Sequence, residues 1–471
     1  MAADLLIASN RGPVSFSYAE DGSLTFRRGG GGLVSGLASV TRSGDALWVC
    51  AALSNADRDA ARRVDGRLDD AFDAPVRMLA IPERTYHQAY NDIANSVLWF
   101  VNHMLYDLTN APIFDDLFRA QWNGYVAYNQ AFADALAQEA APGARVVVQD
   151  YHLLLVPGML REARPDLRIG HFLHTPWAPP DYFRLLPDDV AEALLRGMLG
   201  ADRSGFLARR WADAFLACAE SLPGVSVEKD TITLDGRTTT VGVHALGVDG
   251  PEIRARAAQD DVEDRLEGLR DWAGSCQVVV RIDRTELSKN IVRGLLAFRE
   301  VLRRHTDLRG NLVHLVFAYP SREDLPEYRA YTASVRKTVE AINDEFRTST
   351  WTPIQLQLSD DYARSLAAMR LADVLVVNPI RDGMNLVAKE GPILSDNGVA
   401  LVLSREAGAA AELGGDALIV NPYDVTATAD AIYTGLTMDP AKRRWRSERL
   451  ARTAASRTPQ SWFAEQIDEL I

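Results

Sequence analysis

At 471 residues, 47% apolar and 24% charged, the chain has a globular composition and is too long for one ordinary core, so two or more domains are expected. Its formal net charge of −13 argues against nucleic acid as the main partner, because that binding leans on clustered cations. The first residues carry no basic segment and no run approaches the roughly 20 apolar residues of a membrane span, so a cytoplasmic protein without a membrane partner is expected.

Leu5 to Ala8 reads as a short strand that delivers Ser9-Asn10-Arg11. A glycine run, Gly29 to Gly32, then leads into Leu33, Val34, Leu37 and Val40 at helical spacing. Such a loop can bring bare backbone to a phosphate or can be a hairpin tip, and it matches neither common nucleotide-binding glycine motif. Between Tyr86 and Tyr128 the chain is rich in aromatics, Tyr90, Trp99, Tyr106, Trp122 and Tyr125 among them, and most are expected in the core. Arg145 to Val148 and Leu167 to Leu173 read as buried parallel strands, delivering Gln149-Asp150-Tyr151-His152 and His174-Thr175-Pro176. His171 and His174 are three apart in a strand-like run and so face opposite ways, which argues against a shared metal. Cys50, Cys218 and Cys276 are widely spaced and read as apolar packers in a reducing compartment.

Val241 to Pro251, with Gly247, Gly250 and Pro251, reads as a junction between domains 1–245 and 246–450. The strand–helix rhythm then restarts. Gln277 to Ile282 leads to Arg284 and Lys289, and Leu312 to Phe317 leads to Tyr319-Pro-Ser-Arg322. Val374 to Val377 precedes Asp382, and Ala400 to Leu403 and Leu418 to Val420 complete the series. The last twenty residues read as helical, with Trp462, Phe463 and Ile467 on a docking face. Strands alternating with helices imply an α/β chain of two Rossmann-like, doubly wound parallel sheets.

Arg11, Asp150, His174, Arg284, Arg322 and Asp382 all fall at or just past the C-terminal end of an expected strand. Ligands bind at that edge in open α/β sheets, and two such domains facing each other would line one cleft with it. The stretch Arg381 to Glu390 sets a carboxylate, a glycine and polar side chains between a strand end and a helix start, and the first-turn N–H groups at 383–387 favour a phosphate. Arg284 and Lys289, five apart on a strand-to-helix turn, can both reach one diphosphate, where a well-placed donor is worth roughly 3 kcal/mol to the transition state. The plainer alternative is a surface ion pair of Arg284 with Glu286. Glu390, about two turns after Asp382, suits ribose hydroxyls; Asp382 and Asn385 suit sugar hydroxyls. Arg11 and Arg322 would serve a phosphate on a second substrate. Reading Asp150 and Asp382 as a glycosidase pair would leave the phosphate apparatus without a purpose.

Ser9-Asn10-Arg11, Gly31-Gly32-Leu33, Tyr90 with Asn95 to Trp99, Asp150 to Leu153, Ile169 to His174, Arg284 with Lys289, Ser321-Arg322, Arg381 to Glu390 and Asn421 to Asp424 follow one another in an order and spacing that resembles the trehalose-6-phosphate synthase family, glycosyltransferase family 20. The resemblance runs from residue 9 to 424. It implies a GT-B fold, with two Rossmann-like domains about a central cleft and a C-terminal helix, 451–471, returning to the N-terminal domain. It implies retaining transfer of glucose from a nucleoside-diphosphate glucose to glucose 6-phosphate, giving α,α-trehalose 6-phosphate, with no metal or other cofactor. Gly32, Arg284 and Lys289 would then hold the donor diphosphate, with the backbone of Gly383, Leu386 and Val387, and Glu390 would hold the ribose. His174, Asp382, Met384 and Asn385 would hold the donor glucose, and Arg11, Tyr90, Trp99, Asp150 and Arg322 the acceptor. Arg284, Lys289, His174 and Asp382 would form the catalytic set.

Four departures from the family pattern stand out. Gln149 replaces a His, 203–208 replaces Leu-Leu-Gly-Phe-Gln-Thr, Asn290 replaces a Gly, and Gly391-Pro392 is expected to interrupt the helix after Glu390, since an interior proline costs about 3 kcal/mol. They leave UDP-glucose and GDP-glucose both open as donors. Another acceptor, such as glycerol 3-phosphate or a cyclitol phosphate, is the alternative within the class, and a non-catalytic sugar-phosphate sensor the alternative outside it. Self-association is left open.

Overall fold

The computed structural model describes residues 2–28, 46–64, 66–68 and 75–470. The chain divides into two compact units, Met1–Ala245 with Pro459–Ile471, and Leu246–Thr458.

The first unit holds β1 (Ala3–Ser9), β2 (Val14–Tyr18), β3 (Leu24–Arg28), β4 (Ala46–Ala51), β5 (Arg67–Leu68), β6 (Val76–Leu79), β7 (Ala140–Gln149), β8 (Arg168–Leu173), β9 (Arg203–Phe206), β10 (Ser226–Glu228), β11 (Thr231–Leu234) and β12 (Arg237–Val243). β2 and β3 pair as a separate hairpin; the rest form one sheet in the order β10-β11-β12-β9-β8-β7-β1-β4-β6-β5. From β12 to β6 every neighbour is parallel, and the antiparallel pairs, β10 with β11, β11 with β12 and β5 with β6, lie at the edges. β4 is buried along its whole length and β1 from Leu5 onward, as expected for strands covered on both faces. The chain proceeds outward from β1 through β4 to β6, then returns to the other side of β1 as β7. The strand order therefore reverses between β1 and β7, and the crevice at such a switch point is where doubly wound sheets bind ligands.

The second unit holds β13 (Gln277–Arg284), β14 (Leu312–Tyr319), β15 (Ile354–Gln357), β16 (Val374–Val377), β17 (Ala400–Ser404) and β18 (Leu418–Val420). All are parallel, in the order β15-β14-β13-β16-β17-β18, so the reversal falls between β13 and β16. Its core joins Val279, Leu312, Val316, Val376 and Val402 of the strands to Leu295, Phe298, Val335 and Ile432 of the helices.

Two boundaries differ from expectation. The helix after Glu390 is not interrupted: it runs Val387–Leu394 with Pro392 inside it. Gly391 lies so close to β16 that a Cβ there would stand 2.3 Å from Leu375 Cδ2, so glycine at this position lets the helix sit tightly on the sheet. Toward the C-terminus, the helix Pro440–Ala454 belongs to the second unit, and the helix Pro459–Asp468 to the first. There Trp462 and Phe463 are fully buried, and the Trp462 ring stands edge-on to Phe172 of β8, with centroids 4.9 Å apart.

Candidate functional site

In the first unit the predicted residues gather at the C-terminal ends of β1, β7 and β8. Arg11 is exposed, and its backbone is fixed by Ser9 Oγ, which donates to the Arg11 carbonyl at 2.7 Å. The Tyr128 hydroxyl donates to Asn10 Oδ1 at 2.7 Å. Asp150 follows β7 with φ +75°, a region costly for a residue with a side chain, and is held there by its N–H on the Phe172 carbonyl at 2.7 Å. Its carboxylate accepts the His174 backbone N–H at 3.1 Å, and its carbonyl lies 3.2 Å from His171 Nε2. His174 Nε2 is 2.8 Å from Gln149 Oε1, so the Nε2–H tautomer donates and leaves Nδ1 as an acceptor. Burial, with His171 nearby, pushes the His174 pKa down to about 3, so the ring is neutral at any working pH. The His174 ring also stands 5.5 Å from Trp462, so the C-terminal helix backs it directly.

Tyr90 and Trp99 are set by an unusual helix. Gln88–Leu98 is wound as a π-helix, the i→i+5 form that is rare and concentrates at functional sites, and Trp99 opens the α-helical turn that follows it. Tyr90 stacks between Tyr86 and His152 at 5.3 and 5.5 Å. Trp99 is 7% exposed, stacked on His103 at 3.9 Å and tilted against Tyr151. Tyr125 is fully buried and Trp122 nearly so, in the core where the sequence put them.

In the second unit the ends of β13 and β16 meet across the switch point. Lys289 Nζ pairs with Asp382 Oδ2 at 2.5 Å, and the same oxygen accepts Asn385 Nδ2 at 3.1 Å. Burial opposes the Lys289 charge, yet Asp382, Asp283 and Glu286 hold its pKa above the usual value, so it stays an ammonium. Arg284, its side chain 56% exposed, pairs through Nη1 with Glu286 Oε1 at 3.1 Å. Glu286 is not a surface residue but fully buried, and the same oxygen accepts Arg322 Nη1 and Ser321 Oγ, both at 3.0 Å. Burial penalises this carboxylate, but Arg284, Arg322 and Lys289 outweigh it and hold the pKa down to about 2. Arg322 therefore stands with Arg284 in the second unit, while Arg11 belongs to the first. Arg281, Asp283 and Asn378 lie beneath this layer: Arg281 pairs with Asp283 at 2.9 Å and donates to Asn378 Oδ1 and to the Lys289 carbonyl, tying the two strand ends together.

The stretch after β16 is a rigid turn before its helix. The Gly408 N–H donates to the Asp382 carbonyl at 3.0 Å and the Ala409 N–H to that of Met384 at 2.9 Å. A Cβ on Gly408 would lie 1.9 Å from the Gly383 carbonyl oxygen, so only glycine permits this approach. Asn385, φ +80°, accepts the Ala388 N–H on Oδ1 and donates to Asp382, so both ends of its amide are engaged within the turn. The N–H groups of Leu386 and Val387 at the helix start have no acceptor among the described residues. Met384 is buried, and Glu390 is half-buried with its carboxyl pushed by burial up to about 7. Gly32 lies outside the described residues.

A family model described as Glycosyltransferase family 20 matches residues 3–471. The chain belongs to glycosyltransferase family 20. Among curated relatives, a trehalose-6-phosphate synthase of Mycobacterium sp. (strain JLS) is 34% identical over 482 residues, covering 99% of this chain and 96% of that one. Among solved structures, the Escherichia coli trehalose-6-phosphate protein bound with UDP-2-fluoro glucose superposes with TM-score 0.86 at 28% identity, covering 99% and 98% of the two chains. A UDP-forming α,α-trehalose-phosphate synthase from Burkholderia xenovorans, solved with glucose-6-phosphate, gives TM-score 0.86 at 27% identity over 99% and 100%. The α/β architecture of two parallel-sheet units is accordingly the GT-B fold.

Against this family, the departures find local reasons. Gln149 fixes the His174 ring through its Oε1. Asn290 sits at φ +59°, where glycine or asparagine is best tolerated, and its amide donates to the Asn378 and Pro422 carbonyls. Arg203, the first residue of the altered 203–208 segment, starts β9 and pairs with Glu469, just past the C-terminal helix, beside His244. Sequence reasoning overlooked Glu286 as an organiser of both arginines, and Arg281 with Asp283. The signal available was an acid between two cations in Arg284-Thr-Glu-Leu-Ser-Lys289.

Proposed function

We propose that this family 20 glycosyltransferase moves glucose, with retention, from UDP-glucose to glucose 6-phosphate, forming α,α-trehalose 6-phosphate. The observation that carries the reading is the cluster at the β13/β16 switch point, where Arg284 pairs with Glu286 and Lys289 with Asp382, a carboxylate suited to sugar hydroxyls. Arg284, Lys289 and the open Leu386 and Val387 N–H groups bind the diphosphate; Glu390 binds the ribose. Asp382 and neutral His174 accept hydrogen bonds from the glucose, while Asn385 acts by holding Asp382 in place. Arg11, Tyr90, Trp99, Asp150 and Arg322 bind the sugar phosphate. Support for these substrates comes from the relatives, one solved with a UDP-sugar analogue and one with glucose-6-phosphate.

In the proposed step the acceptor's anomeric hydroxyl oxygen bonds to the donor C1 as the C1–O bond to the diphosphate breaks on the same face. The hydroxyl proton passes to the departing phosphate oxygen, so no carboxylate nucleophile is needed. Arg284 and Lys289 stabilise the charge growing on that phosphate, and no metal is assigned to the task. Coupled assays of UDP-, GDP- and ADP-glucose, each with glucose 6-phosphate and with glycerol 3-phosphate, test the reading. Turnover with UDP-glucose and glucose 6-phosphate is expected. Turnover only with GDP-glucose would shift the donor, turnover only with glycerol 3-phosphate the acceptor, and binding without turnover would make the chain a sensor.

A further inference from the structure

Two groups assigned above to different parts of the donor bind each other. Lys289 Nζ and Asp382 Oδ2 are 2.5 Å apart, with side chains only 14% and 15% exposed. Asp382 cannot follow the ammonium if it moves, because its N–H and carbonyl are bonded to Glu406 and Gly408 and its Oδ2 to Asn385. Lys289 can move: its stem is flexible, and Asp283 and Glu286 already contribute to holding its charge.

We infer that the Lys289–Asp382 pair discriminates between a sugar-loaded nucleotide and a bare one. It rests on the reading of Lys289 as diphosphate ligand and Asp382 as sugar ligand. An entering diphosphate draws the ammonium away from Asp382 and leaves that carboxylate, poorly solvated, beside new negative charge. With a sugar nucleotide, hydroxyls donate to Asp382 and replace the ammonium. With a bare nucleoside diphosphate no sugar hydroxyl takes the ammonium's place, and the carboxylate competes with the phosphate for Lys289. The bare nucleotide is therefore bound more weakly than the sugar nucleotide, and once transfer has removed the sugar the same competition speeds release of the nucleotide product.

The test is calorimetric titration of UDP and of UDP-glucose, without acceptor, into wild type, Asp382→Asn, Asp382→Ala and Lys289→Ala, each checked for folding by circular dichroism and melting. Wild type should prefer UDP-glucose. Both Asp382 variants should bind UDP about tenfold more tightly than wild type does, narrowing or reversing the preference, because the competing charge is gone. UDP affinity that is unchanged or weaker in both variants overturns the inference. Lys289→Ala separates the two possible failures. If it loses UDP while the Asp382 variants stay flat, the donor site stands and the discrimination falls; if it binds UDP normally, the donor-site reading itself is wrong.

Discussion

Glu390 offers a sharp test of the donor assignment, because burial alone raises its carboxyl to about 7 and no cation or hydrogen-bond donor among the described residues lowers it. A carboxylate accepts from two ribose hydroxyls only when ionised. With a pKa near 7, roughly nine-tenths of the free protein carries the charge at pH 8 and roughly one-tenth at pH 6. Apparent affinity scales with the competent fraction, so Kd for UDP should rise about tenfold, or about 1.4 kcal/mol, from pH 8 to pH 6. The nucleotide's own phosphate also titrates near the lower value, so the quantity to compare is the difference from Glu390→Gln, which keeps the phosphate titration and removes the carboxylate one. Titration calorimetry at several pH values should show wild type losing affinity steeply through neutrality and the variant losing less. A 2′-deoxyribose analogue should show a smaller wild-type change. Parallel pH curves for wild type and Glu390→Gln would refute the ribose assignment. The stability sign follows from the same shift: the folded pKa lies above the unfolded value of 4.5, so the charge burdens the fold above neutrality and not below about pH 4.5. Glu390→Gln should therefore melt higher than wild type at pH 8, with the gap closing as pH falls.

Lys289→Ala should abolish transfer while circular dichroism and melting stay close to wild type; near-normal turnover would sink the clamp. Arg322→Ala should mainly raise KM for the sugar phosphate, and an unchanged value would mean that the acceptor phosphate lies elsewhere. Glu286→Ala removes the buried carboxylate shared by half-exposed Arg284 and buried Arg322, and breaking a buried pair such as Glu286–Arg322 typically costs about 3–5 kcal/mol. KM for donor and acceptor should rise together there and stability should fall, whereas a change in one KM alone would show that Glu286 organises a single site. EDTA should leave the rate unchanged, and a loss restored by a divalent cation would show that Arg284 and Lys289 do not act without metal.

Much of the fold was legible because parallel strands write themselves locally. Val146 to Val148, Val278 to Val280, Leu312 to Phe317 and Val374 to Val377 are apolar runs bounded by turn residues, and such runs are read without knowing their neighbours. β6, β9 and β12 were missed because β9 and β12 contain glycine and polar residues and β6 alternates, so they lack a continuous apolar signal, whereas β4 was missed although its run is apolar throughout. The expected break at Pro392 failed because a local propensity was outweighed by packing of the helix on Leu375.

The sequence by itself determined which residues stand at strand ends, and hence that Arg11, Asp150, His174, Arg284, Lys289, Arg322 and Asp382 were the ones to watch. Only the tertiary structure decided whom they meet. Lys289 reaches Asp382 across 93 residues because the strand order places β13 beside β16, and Arg322 joins Arg284 on Glu286 because β14 lies on the other side of β13. Strand order is set by how whole faces bury, a sum over many residues, so no short motif encodes it. The partner of a charge is fixed by that order, and in a buried site the partner decides whether the charge survives, moves or waits for a ligand.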